Sequence, residues 1–146
     1  MITQEYEAQR VMTATPMELI LMLYDGAIRS LNQALNGYDD MDSIDGRNKV
    51  HGYLLEAQSY ITELTCSLDI DRGGEMAIQI ERLYAFMIQH LVDANVSGER
   101  GPISEVKRML EELREGWAQA MQSMPQRETT TPSVPVERGA SFQFSG

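Results

Sequence analysis

The residue types that most often carry chemistry are sparse in this chain and do not combine. The two histidines, His51 and His90, are preceded three positions earlier by Asn48 and Met87. The Glu-x-x-His pairs with which helical bundles hold two irons are therefore missing. Cys66 is the single cysteine. With no His or Asn at a useful spacing it reads as a small packing side chain rather than a nucleophile. It has no partner for an internal disulfide, which suits a reducing compartment. The stretch "DIDRGGEMAIQIE" approaches a calcium loop, with Asp69, Asp71 and Gly74 at positions one, three and six. Position twelve is Ile80, and the glutamate comes one residue late at Glu81, so the aspartates read as a solvated turn and helix N-terminus. Gly73-Gly74 lacks the Lys and Ser/Thr that follow a phosphate-binding loop. We expect no catalytic residue, no metal site and no cofactor.

Charge narrows the partners. Acidic residues number 22 against 12 basic ones, for a formal charge of −10. The stretch after Met124 holds Glu128, Glu137, Arg127 and Arg138, which cancel, so the excess sits on residues 1–124. Only two lysines, Lys49 and Lys107, are present. Phosphate recognition needs basic clusters, so nucleic acid and anionic membrane are excluded as expected partners. The N-terminal "MITQEYEAQR" has no apolar core. The longest apolar run falls far short of the roughly 20 residues that span a bilayer. A cytoplasmic location is the expectation.

The elements that would position any site are helical. The length of 146 residues suits one domain. A first helix should begin with Thr15 as N-cap, Pro16 at the first position and Glu18 completing a capping box, and end at Asn36-Gly37. "GYDDMDSIDGRN" reads as an acidic loop. A second helix carries Val50, Leu54, Ala57, Ile61, Leu64 and Leu68 at alternating spacings of four and three, the signature of a bundle seam. After "LDIDRGG", a third from about Glu75 to Ala94 places Met76, Ile80, Leu83, Tyr84, Met87, Leu91 and Ala94 on one side. A fourth, opened by Pro102, repeats the seam through Ile103, Val106, Leu110, Leu113, Trp117, Ala120 and Met124. The expected fold is all-α: an antiparallel up-and-down four-helix bundle over residues 1–124, with a short N-terminal capping segment. Residues 125–146, rich in Thr, Pro, Ser and Gly, read as a disordered tail. Phe142 and Phe144 stand out there as groups able to dock.

The first helix has more apolar surface than a bundle needs. Leu19 to Tyr24 are six apolar residues in a row. At about 100° per residue, Leu19, Ile20, Leu21, Leu23, Tyr24, Ala27, Ile28, Leu31, Ala34 and Leu35 fill an arc of roughly 200°. A stripe of about 100° suffices to face a core. Gly26, with Asp25, falls on the opposite, polar arc. Two neighbours and a lid of Tyr6, Val11 and Met12 would cover the excess. So would a partner's amphipathic segment lying in a groove, and the ten methionines supply adaptable surface for it.

The blocks "VMTATPMELILMLYDGAI", "SLDIDRGGEMA", "RLYAFMIQHLVDAN" and "ISEVKRMLEELREGW", with Tyr6 ahead of them, resemble the flagellar secretion chaperone FliS family, collinearly from about Tyr6 to Ala120. The resemblance implies a helical bundle without enzymatic activity. It also implies a partner, the disordered C-terminal segment of flagellin, which becomes helical in apolar surface grooves and is kept from polymerising before export.

Carried over residue by residue, it makes Tyr6 and Val11 an N-terminal cap. Leu19, Ile20, Leu21, Leu23, Tyr24, Ile28, Leu83 and Tyr84 become candidate partner-binding residues. Among these Leu23 and Leu83 suit the core better, whereas Ile20, Tyr24 and Ile28 lie on the surplus arc. Asp25-Gly26 suits close packing or local hydrogen bonding equally. The flagellar export gate and an anti-sigma factor are further candidate partners, and both monomer and homodimer stay open. The rival reading is a regulatory bundle adaptor that binds another amphipathic segment, such as an anti-sigma factor or export-apparatus component.

Overall fold

The computed structural model describes residues 12–123. Helix α1 spans Pro16–Asn36, α2 Ile44–Cys66, α3 Ile70–Ser97 and α4 Gly101–Gln122. The links between α2 and α3 and between α3 and α4 are three residues each, 67–69 and 98–100. Connections that short turn consecutive helices back on one another. α1 packs against α2 and α4, and α3 packs against the same two, which closes a four-helix bundle.

Local chemistry sets the boundaries. The Thr15 hydroxyl accepts from the Glu18 N–H at 3.1 Å, and the Glu18 carboxylate accepts from the Thr15 N–H at 2.9 Å. This is the expected capping box, with Pro16 in the first turn. Gly37 closes α1 but keeps a right-handed backbone, φ −75°, and the chain continues into a 3₁₀ turn, Gly37–Asp40.

Much of the expected acidic loop is therefore ordered helix. Ser43 caps α2 by accepting from the Gly46 N–H at 2.8 Å, and α2 starts six residues before its first seam residue, Val50. Gly46 is buried, and a Cβ there would lie 1.8 Å from the Asp40 carbonyl oxygen.

α3 also begins earlier than the expected Glu75. Asp69 caps it through the Arg72 N–H at 3.1 Å, and one turn forms before Gly74 interrupts the helix at φ 56°, ψ −136°. Only glycine adopts that backbone without strain. Gly98, left-handed at φ 78°, stops α3.

The seams face one core. Val50, Leu54, Ala57, Ile61 and Leu64 are buried on α2, and Ala77, Tyr84, Met87, Leu91 and Ala94 on α3. Met76, expected on the inner side of α3, is 71% exposed, and the smaller Ala77 takes the inward position. A seven-residue step back from Tyr84 reaches Ala77, so the helical period holds and only the choice between neighbours differs. On α4, Ile103, Val106 and Leu110 are buried, Leu113 and Trp117 are half-buried, and Ala120 is exposed. The core is thus deep where α1 ends and α4 begins, and shallow where α1 begins and α4 ends. Tyr6 and Val11 of the expected cap, Met124, and the segment 125–146 lie outside the described residues.

Candidate functional site: a half-covered apolar face on α1

Six apolar residues in a row cannot all reach one core, and the bundle sorts them. Of Leu19 to Tyr24 only Tyr24 is buried, while Leu19, Ile20, Leu21, Met22 and Leu23 are half-buried. Ile20, Leu23 and Ile28 lean on the core from its edge. Leu21 and Met22 line a cavity of 260 Å³ with Thr13, Ala14, Glu18, Asp25 and Arg114, between the start of α1 and the lower half of α4. Met12, expected to help cover this face, is itself 83% exposed.

Two expected contact residues are core instead. Tyr24 and Tyr84 are 0% and 1% exposed. Their hydroxyls lie 2.6 Å apart, and the Trp117 indole N–H donates to the Tyr24 hydroxyl at 3.1 Å. This bond set ties α1, α3 and α4 together through the centre. Tyr24 belongs to the inner edge of the wide arc, so its ring serves the bundle and presents no surface to a partner in this arrangement. Burial pushes its hydroxyl up to about 12 and pushes that of Tyr84 up further, with the Tyr24 hydroxyl adding to the shift. Leu83 and Leu23, expected in the core, are half-buried against it.

The Asp25-Gly26 pair does both jobs open to it. The Arg114 guanidinium donates to both oxygens of the Asp25 carboxylate, the second contact at 3.3 Å, pinning α4 to α1 at the cavity wall. That hydrogen bond holds the Arg114 pKa above its usual value. Gly26 is buried, contrary to its place on the polar arc, and a Cβ there would lie 2.5 Å from the Tyr60 ring of α2. The wheel assigns a residue without a side chain to the polar side, but its bare backbone is what lets α2 approach. Ser30, buried one turn on, donates to Glu56 of α2 at 2.7 Å.

The arrangement offers apolar contact area and no reactive centre. Among the described residues no group of three His, Cys, Asp or Glu side chains converges as a metal site would require. No described helix is long and apolar enough to cross a membrane.

Comparison with known proteins then decides the family. The model of the family described as "Flagellar protein FliS" matches residues 2–124. The chain belongs to the FliS family. It is 34% identical over 118 residues to the flagellar secretion chaperone FliS of Bacillus subtilis strain 168, covering 81% of this chain and 84% of that one. It is 38% identical to the flagellar secretion chaperone FliSB of Pseudomonas aeruginosa, covering 76% and 84%. To the FliS of Salmonella typhimurium strain LT2 it is 34% identical, over 75% of this chain and 78% of its relative. FliS relatives are named as chaperones and not as enzymes, in keeping with a site built from half-covered apolar side chains.

Proposed function

We propose that this FliS-family chain is a cytosolic export chaperone that holds the C-terminal segment of flagellin on its apolar surface and keeps it from polymerising before secretion. The observation that carries this reading is the run Leu19 to Leu23, half-buried on an acidic bundle whose deep core lies elsewhere. A segment that folds as it binds must offset its ordering entropy with spread apolar contact. Such a face supplies that contact without a catalytic group.

In this reading Leu19, Ile20, Leu21, Leu23 and Ile28 receive the client's apolar side chains, with Leu83 on α3 as a further contact. Tyr24 and Tyr84 act from behind by fixing the helices that carry those residues. Tyr6 and Val11 cap the face until the client displaces them. Residues 1–124 make up the binding domain, and 125–146 form a separate tail.

A pull-down with immobilised flagellin C-terminal segment, run beside an unrelated amphipathic helix of equal length and charge, tests the reading. Retention on flagellin alone is expected. Equal retention on both would mean a general helix binder, and retention on neither would mean that the face is satisfied within the chain.

A further inference from the structure

We propose that the end of α4, Trp117 to Gln122, is a flap beside the start of α1, jointed at Gly116 and latched by the Trp117–Tyr24 hydrogen bond, and that it swings aside to admit the client. This rests on the function proposed above and concerns how that site opens.

The core leaves this stretch unsecured. Ile103, Val106 and Leu110 bury the first half of α4, and no residue of the helix beyond Leu110 is buried. Leu113 and Trp117 lean on the core's edge, and Ala118 and Met121 are half-buried. Among the described residues, two polar ties hold this half of α4 to α1. One is the Arg114 guanidinium on the Asp25 carboxylate. The other is the Trp117 indole N–H, which donates to the Tyr24 hydroxyl at 3.1 Å.

Gly116 lies between the two ties. Glycine inside a helix leaves the backbone more freedom and so weakens the helix there. Where a glycine serves close approach, as Gly26 and Gly46 do, a neighbour fills the place of its missing Cβ. Nothing lies within 4 Å of that place at Gly116, so packing does not call for it. Gly52 of α2 is equally open, but buried Val50 and Leu54 hold α2 to the core on either side of it. Past Gly116 no buried side chain does so, and the same weak point becomes a joint.

The stretch beyond the joint runs along the client face. Counting three residues down α1 from Asp25 and three up α4 from Arg114 brings Trp117 level with Met22, and counting seven brings Met121 level with Glu18. Glu18, Leu21 and Met22 line the 260 Å³ cavity that Arg114 also borders. Turning Trp117 to Gln122 outward about Gly116 widens this cavity into a groove along Leu21, while Arg114 on Asp25 keeps the rest of α4 in place.

Opening orphans no buried polar group. The Tyr24 hydroxyl keeps the Tyr84 hydroxyl at 2.6 Å, and the released indole N–H reaches water. The penalty that makes most buried hydrogen bonds hard to break is therefore avoided. Client side chains replace the apolar contact that Trp117 gives up.

The indole proton of Trp117, the chain's single tryptophan, reports the latch directly. Its exchange with deuterium is followed by NMR in the parent chain, in Gly116→Ala and in Gly52→Ala, a control that adds the same methyl group where no joint lies. Alanine in place of glycine inside a helix favours the intact helix about two- to fivefold.

Indole exchange slowed by that factor in Gly116→Ala and unchanged in Gly52→Ala is expected. Unchanged exchange in Gly116→Ala overturns the joint. Equal slowing in both variants overturns the flap, because exchange then runs through unfolding of the whole bundle.

Binding of a flagellin C-terminal peptide should weaken by the same factor in Gly116→Ala alone, since apparent affinity falls with the open fraction. Equal affinity in Gly116→Ala beside a slowed indole overturns the flap's role in admission. Failure of all three chains to bind the peptide overturns the proposed client, and the indole exchange, measured without it, still decides the flap.

Discussion

The buried hydroxyls of Tyr24 and Tyr84 make the most specific claim at the scale of single residues. Replacing Tyr24 with Phe strips the Trp117 N–H of its acceptor and leaves the Tyr84 hydroxyl alone. Orphaning buried polar groups costs about 1–3 kcal/mol. Chemical denaturation should register that loss, together with a red shift of Trp117 emission as α4 loosens. Alkali should weaken the bundle through the same pair. In the unfolded chain tyrosine ionises near pH 10, whereas Tyr24 in the fold is raised to about 12 and Tyr84 is raised further. Between these values the unfolded state loses protons that the folded state keeps, so stability is full below about pH 10 and falls as pH rises toward the folded values. Urea midpoints measured from pH 9 to 12 should drop above 10, and Tyr84→Phe should flatten the drop. A profile equally steep in that variant would assign the effect to other groups.

At the scale of elements, helix ends decide how much apolar surface stays half-covered. Thr15→Ala removes one half of the α1 capping box and should cost about 1 kcal/mol. Faster amide exchange should then begin at the half-buried start of α1, while α2 stays protected. Gly46→Ala forces a side chain into the Asp40 carbonyl and should cost about 1–3 kcal/mol in thermal or chemical unfolding.

The helices and most of their inward residues were legible because the seam repeats and the Thr15-Pro16-Glu18 cap are local signals. The early starts of α2 and α3 were not. Ser43 and Asp69 sit among aspartates and glycines that suit a loop equally well, and only packing selects the helix. Nor does periodicity choose Ala77 over Met76, or reveal that Gly26 is buried, because those outcomes depend on how closely a neighbour approaches. The site was half legible. The surplus of apolar residues on α1 was visible, but the sinking of Tyr24 into the core depends on hydroxyl and indole partners 60 and 93 residues away.

For the molecule as a whole, an acidic bundle with a deep core at one end and an apolar flank at the other is suited to holding an unfolded chain reversibly. The first task of such a molecule is to stay soluble while offering apolar surface, and a charge of −10 serves that need. Association driven by the flank should depend weakly on salt, because it rests on apolar burial rather than on ion pairs. Raising sodium chloride from 0.05 to about 0.5 M should therefore leave client affinity within about threefold. A steep loss would move the binding determinants to the charged rim around Asp25 and Arg114.

The central claim is that the half-covered face of α1 receives a client segment that folds as it binds. Calorimetric titration of the full chain with the flagellin C-terminal segment, at several temperatures, tests it most directly. Binding with a large negative heat-capacity change is expected, lost in Ile20→Asp at a temperature where the variant, less stable because Ile20 packs on the core's edge, keeps the parent's helical content. Binding that survives Ile20→Asp undiminished, or that shows no heat-capacity change, would contradict it.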